Sequence, residues 1–351
     1  MKNRKRPLAK ILSGLAIVLL ILVGLDTAVN KNKTDMADLS EWDQRALNDF
    51  KIANEADAKA NFWKDYRLGD HPILLISKDS HYSYLIGPKK KPSSLFASPI
   101  TGIDLDVYRV TRTYPGLWGV KLLGGNFNTI DKTTRILGND VYYMKFDSSN
   151  FTRQFLSEHL MNFLYHESFH YFKQNNWIGG GRFSAVLTAN GMKLLEERLK
   201  LFDQARDLVK EGEAGKAKLK EVAQKIVENQ EKRRDSDPDY VDLESMMETT
   251  EGTATFMGIM ASRAVGYDYG PMYFDNAKDV PFSDVIPFYK DKKLSEGFLR
   301  DRLPYETGAQ LTLILQSLDP EGAWQGYLDG QDKTEQRTLM DALKLTLENN
   351  L

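Results

Sequence analysis

The chain has 351 residues, 42 % hydrophobic and 11 % aromatic, which is enough for one large packed domain or two modest ones. Its 47 Lys and Arg against 49 Asp and Glu leave a formal net charge of −2, arguing against a nucleic-acid partner held by bulk charge. There is no cysteine, so disulfides, thiolate zinc sites, a cysteine nucleophile and a lipidated cysteine are all excluded.

The first ten residues, MKNRKRPLAK, carry five basic side chains and no acid, and Ile11 to Leu25 then run without a charge. This is the layout of a signal peptide or signal anchor over residues 1–30. The run is shorter than the ~20 residues of a comfortable span. With Pro7–Lys10 and Asp26–Val29 at its edges it still suffices for a thin bilayer. Cleavage after Ala28 would put Asp26 third before the cut, where small residues are preferred, so an uncleaved single-pass anchor in the cell membrane is expected. The alternative is cleavage and a secreted or periplasmic protein. Either way the basic flank stays cytoplasmic and the rest is extracytoplasmic.

Residues 31–70 read as a helical linker, with Leu39, Trp42, Leu47, Phe50, Phe62 and Tyr66 at helical spacing. From His71 the texture changes. HPILLIS, YSYLIG, IDLDVYRV, LWGVKLL and DVYYMKF are short β-rich runs broken by turn residues, which predicts a small sheet over 72–147. From Ser148 to Trp177 apolar residues recur at three- and four-residue steps, predicting one helix ended by Asn176 and the Gly179–Gly181 loop. Residues 191–236 read as a charged helical hairpin turning at Gly212 and Gly215, its charges forming a solvated face. Helices are expected over Asp242–Gly266, Leu303–Leu318 and Glu335–Asn349. The class is therefore α+β: a small mixed sheet followed by a mostly helical subdomain, within residues 71–351.

The chemistry is concentrated in HESFH, residues 166–170. An α-helix turns about 100° per residue, so His166 and His170 lie on one face and can offer two nitrogens to one cation. Glu167, beside them, can accept a proton from water. H-E-x-x-H is the zinc metalloprotease signature, with the glutamate as general base. Two imidazoles and a carboxylate on so apolar a helix would be costly to bury without a partner such as Zn2+. A catalytic zinc needs a third protein ligand and an open position. The position six beyond His170 is Asn176, so a carboxylate is expected, and METTEGTATFMG offers Glu248 and Glu251. Glu251 is favoured because Gly252 beside it permits close approach. Glu248, one turn earlier, is then expected to hold a ligand histidine's distal N–H, or to exchange roles with Glu251. Glu244 is expected at the surface.

HESFH followed by TEGTATF resembles the gluzincin zinc metallopeptidases, and LPYETGAQLTLILQSL is similar to the P-Y-E-x-G segment of the aminopeptidase N and leukotriene hydrolase group. The resemblance covers roughly residues 140–320 and implies a zincin-like catalytic domain in which Tyr305 hydrogen-bonds the oxyanion. It departs from the family in two ways. The spacer between His170 and Glu251 is long, as if the hairpin were an insertion, and the amine-gripping G-x-M-E-N segment is absent, with GGNFNT at 124–129 no substitute. Exo- and endopeptidase action, on a peptide or protein substrate, therefore both stay open. A non-catalytic zinc-containing peptide-binding or scaffold protein at the cell surface is the rival reading.

Weaker candidates remain. His159 is expected at the surface, and His71 and His81 at strand edges. Arg302 is expected in a surface salt bridge or on a substrate carboxylate. Tyr267, Tyr269 and Tyr273 are expected to line a cleft or simply to pack. By fold-level analogy, DVYYMKF would be an edge strand that pairs with extended substrate.

Overall fold

The computed structural model describes residues 5–32 and 34–349. Lys2 and Arg4 of the expected basic flank lie outside the described residues. In chain order, α1 (Lys5–Asn32) and α2 (Glu41–Ala60) lead into β1 (Ile73–Ser77), β2 (Ser83–Ile86), β3 (Ala97–Pro99) and β4 (Val107–Val110). Helix α3 (Gly116–Leu123), β5 (Thr134–Ile136) and β6 (Asn139–Phe146) follow. The rest is helical: α4 (Ser149–Thr152), α5 (Leu160–Phe172), α6 (Ala189–Lys210), α7 (Lys216–Ser236), α8 (Pro238–Ala264), α9 (Val285–Lys290), α10 (Glu296–Asp301), α11 (Leu303–Leu318), α12 (Ala323–Asp329) and α13 (Leu339–Leu347). The class is thus mixed α/β. The chain divides into two compact units, residues 1–54 with 68–152 and residues 55–67 with 153–351.

The first unit is built on a six-stranded sheet in the order β3-β4-β2-β1-β6-β5. Neighbours pair antiparallel except β1 and β6, which run parallel. The sequence ILLIS of β1 is buried at every position, the pattern of a central strand covered on both faces. Leu74 sits opposite Leu85 on one side and Tyr143 on the other, and these join Ile76, Val110 and Val141 in the core. Strand β6 is not a free edge: β1 pairs with Tyr142–Phe146 on one side, and on the other β5 pairs with Asn139–Val141 while Asn126 and Asn128 bond the backbone at Lys145 and Tyr143.

LWGVKLL, which reads as a strand, is helical. Pro115 caps its start, and Leu117 and Val120, three apart, turn one face onto the sheet. A short apolar run carries no period long enough to separate the two states. Helix α1 is long and apolar enough between Lys10 and Asn32 to cross a membrane or to act as a signal sequence. Its last turns are tied to the sheet. Asn30, 1 % exposed, accepts from Arg109 Nε at 2.6 Å and donates to the Arg109 carbonyl at 2.9 Å.

In the second unit α8 is the central element, packed by α5 and α11. The α8–α11 crossing is glycine on glycine: a Cβ on Gly252 would lie 2.4 Å from Gly308 backbone atoms, and one on Gly308 2.3 Å from the Glu248 carbonyl oxygen. No side chain fits there, so the two helices come as close as backbones allow. The approach expected at Gly252 is therefore that of a neighbouring helix. From residues 55–67, Trp63 is wholly buried and meets Phe169 edge-on at 4.8 Å and Trp324 at 5.3 Å. The helix expected from Ser148 is interrupted between α4 and α5, where Phe155 takes φ 60°. Tyr267 holds this break. Its hydroxyl accepts from Leu156 N at 2.7 Å and lies 3.1 Å from the Leu156 carbonyl.

Candidate metal centre

Helix α5 presents His166 and His170 one turn apart, and α8 brings Glu251 to them. The two imidazole Nε2 atoms lie 3.1 Å apart, and Glu251 Oε2 is 3.4 Å from the first and 3.2 Å from the second. Ligands at ~2.0–2.1 Å in a tetrahedron stand ~3.3–3.4 Å from one another, so the three atoms are close to the spacing with which a tetrahedral ion could be held. The donor chemistry fits a cation: two nitrogens and a carboxylate oxygen converge on one point. Their side chains keep 13 %, 14 % and 16 % exposure, which leaves a side open to solvent.

The tautomer of His170 follows from its neighbour. Gln174 Nε2 donates to the Thr250 carbonyl at 3.0 Å, and a carbonyl can only accept. That fixes the amide orientation and turns Gln174 Oε1 to His170 Nδ1 at 2.5 Å. Nδ1 therefore carries a proton, which leaves Nε2, on the Glu251 side, as the atom that takes up a second proton or binds a cation. Thr255 Oγ1 stands 3.5 Å from His166 Nδ1. Burial by itself would lower the His170 pKa, but the hydrogen bond and charge of Glu251 carry it above its ordinary value. Burial likewise pulls Glu251 upward, and the two imidazoles more than reverse this, holding it well below the carboxylate range. The same geometry that would favour a cation at this point also favours protonation of His170 beside Glu251.

Glu167 and Tyr305 line the same cavity of about 290 Å³. Tyr305 comes from the first turn of α11, and its ring lies near-parallel to His166 at 6.1 Å. Burial, then the charge and hydrogen bond of Glu251, push its phenol pKa up, so it stays protonated. Tyr269 and Arg302 also line this space. Arg302 does form a salt bridge, but with a buried partner: its Nη2 is 2.6 Å from Oε1 of the fully buried Glu306, and its guanidinium lies over Tyr305. Tyr267 and Tyr273 pack instead of lining the cavity, and Tyr267 stacks on His159 at 4.0 Å.

Several expectations fail here for one reason: polar and charged groups lie inside. His159 is 2 % exposed and belongs to the interior. Glu248 holds no histidine. Its two oxygens take Arg198 Nη1 and Nη2 at 2.8 and 2.9 Å, and Thr307 Oγ1 donates to it at 2.6 Å. Glu244 is also buried, and accepts from Arg233 at 2.6 Å and Arg198 at 3.1 Å. Burial opposes its ionisation, but the two guanidiniums prevail and lower its pKa. Arg198 and Arg233 come from the two arms of the hairpin, whose charges are therefore not all solvated. The hairpin is clamped to the helix that carries Glu251.

Gln174, Thr255 and Arg198 are the contributors that sequence reasoning missed. Gln174 stands four after His170, the same step that joined the two histidines, so its spacing was a usable signal. Comparison with known proteins adds nothing to this picture, since no family model, no curated protein and no solved structure matches the chain.

Proposed function

We propose that the chain is a zinc-dependent peptidase of zincin-like architecture, anchored by α1 with its amino terminus cytoplasmic and its two units outside. The observation that carries this reading is the convergence of the His166, His170 and Glu251 donor atoms at tetrahedral spacing, beside Glu167 and Tyr305 in one cavity.

Zinc held by those three residues would supply positive charge that polarises a carbonyl and makes water more acidic. Glu167 takes the proton of the attacking water and later delivers it to the leaving amine. The Tyr305 phenol donates to the oxygen that becomes negative as the peptide carbon turns tetrahedral. Gln174 holds the His170 ring in the orientation and tautomer the site needs. The glycine crossing of α8 and α11 fixes the distance between the carboxylate and the phenol.

Retention of the anchor is supported by contacts on the amino-terminal side of Ala28. Asp26 accepts from Thr113 N and Oγ1 at 2.9 and 2.8 Å, and these bonds would be lost on cleavage after Ala28. The test of the activity is Glu167→Gln. Zinc should still bind, and chelator-sensitive cleavage of a mixed peptide library should fall by about 10²–10⁴-fold. Full turnover in that variant contradicts the assigned role.

A further inference from the structure

Helix α3 is apolar on the wrong side as well as the right one. Leu117 is buried against the sheet, yet Trp118, Leu122 and Leu123 are 46 %, 80 % and 89 % exposed. The core needs only the inner face, so these three outward residues are unexplained by folding. Trp118 and Leu122 stand one turn apart on one face of α3, and Leu123 follows at its end, where isolated exposed apolar residues would need no account.

Two independent features adjoin the patch. The first is charge. A cavity beside Leu122 is lined by Lys78, Arg112, Lys121 and Lys145. Among the described residues Lys78 forms an ion pair, with Asp147 at 3.2 Å, and the charge of Asp26 reaches Lys121. Lys121 Nζ donates to the His81 carbonyl at 2.7 Å, Lys145 Nζ to the Gly124 carbonyl at 2.9 Å, and Arg112 to the Ser80 carbonyl at 2.8 Å. Carbonyls orient these cations without neutralising them. Burial, with Arg112 close by, holds the Lys121 ammonium down at about 8.

The second feature is position. The charge-free run of α1 ends at Leu25, and Asp26, the next residue, is bonded to Thr113 in the loop that starts α3. Thr27 Oγ1 donates to the carbonyl of Leu95, itself 52 % exposed. If α1 spans a bilayer, the level at which it leaves the hydrocarbon is the level of this loop. Helix α3 and its basic rim then lie where acyl chains give way to phosphates.

We propose that α3 docks into the leaflet facing the first unit, with Trp118, Leu122 and Leu123 among the upper acyl chains and the four cations on anionic phospholipid headgroups. An apolar face rimmed by cations, with an aromatic among the inserted residues, is the chemistry that binds such an interface. The consequence is a unit held by two points on the membrane, one spanning and one lying on it. This rests on the reading of α1 as an anchor and is independent of the peptidase reading.

The chain has no cysteine, so single cysteines at Leu15, Leu122 and Leu123 each take one nitroxide label. Full-length protein is reconstituted into vesicles of phosphatidylcholine with or without phosphatidylglycerol. Label depth is read from its relative accessibility to oxygen and to a water-soluble nickel complex. The expected result is that all three labels favour oxygen in the anionic vesicles. Lys78→Gln and Lys121→Gln should each shift the docked-to-undocked ratio at Leu122 by about fivefold. If Leu15 is in the bilayer while Leu122 and Leu123 favour nickel in both vesicles, the docking is wrong and the anchor stands. If Leu15 also favours nickel, the anchor falls and the docking with it. Unchanged Leu122 depth in both lysine variants overturns the part assigned to anionic headgroups.

Discussion

Glu248 and Glu251 stand three residues apart on α8, and their surroundings are opposite. Glu248 is closed in by Arg198 and Thr307, with a guanidinium spanning both carboxylate oxygens. Glu251 meets two imidazole nitrogens and a phenol, and among the described residues no lysine or arginine pairs with it. The first carboxylate has its cation built in; the second faces groups that supply one only by taking up a proton or sharing a metal. What a buried glutamate does is set by the elements that arrive opposite it, not by the helix that carries it.

The comparison can be broken at either end. The largest effect is expected at the permanent pair. Arg198→Met leaves Glu248 buried without its counter-charge and should cost about 3–5 kcal/mol in urea unfolding. Adding Glu248→Met should recover most of that loss, because an apolar pair of similar volume needs no charge balance. An unchanged midpoint in Arg198→Met would show that the cluster does not hold the hairpin to α8. The smaller effect is expected at the open site. Gln174→Ala should lower zinc affinity by about 10–100-fold in chelator competition, through loss of the His170 tautomer and orientation. Unaltered affinity would remove Gln174 from the site.

The readable parts of this protein were those with a period or a spacing. Two histidines four apart define one helix face whatever surrounds them, and the arms of the hairpin fall within two residues of their expected ends. The apolar run LWGVKLL was not readable, because seven residues satisfy a strand and a helix equally until the sheet beneath selects one face. Arg198 was overlooked through composition. It lies on the stripe of Leu195, Leu199 and Phe202, and Glu244 and Glu248 lie one turn apart where the mostly buried stretch of α8 begins. Charges at apolar positions on two helices announce a buried pair, but which side chains meet depends on tertiary packing. The same holds for Glu251: the sequence narrows the carboxylate expected beside the histidines to two, and only the crossing of α5 over α8 brings one of them there.

The most direct measurement is zinc content of the folded, full-length chain, compared between wild type, Glu248→Gln and Glu251→Ala, with circular dichroism to establish folding. Stoichiometric zinc in wild type and Glu248→Gln, and its loss in folded Glu251→Ala, is the predicted result. Wild-type protein that takes up no zinc, or a folded Glu251→Ala that keeps it, would contradict the assignment of this triad.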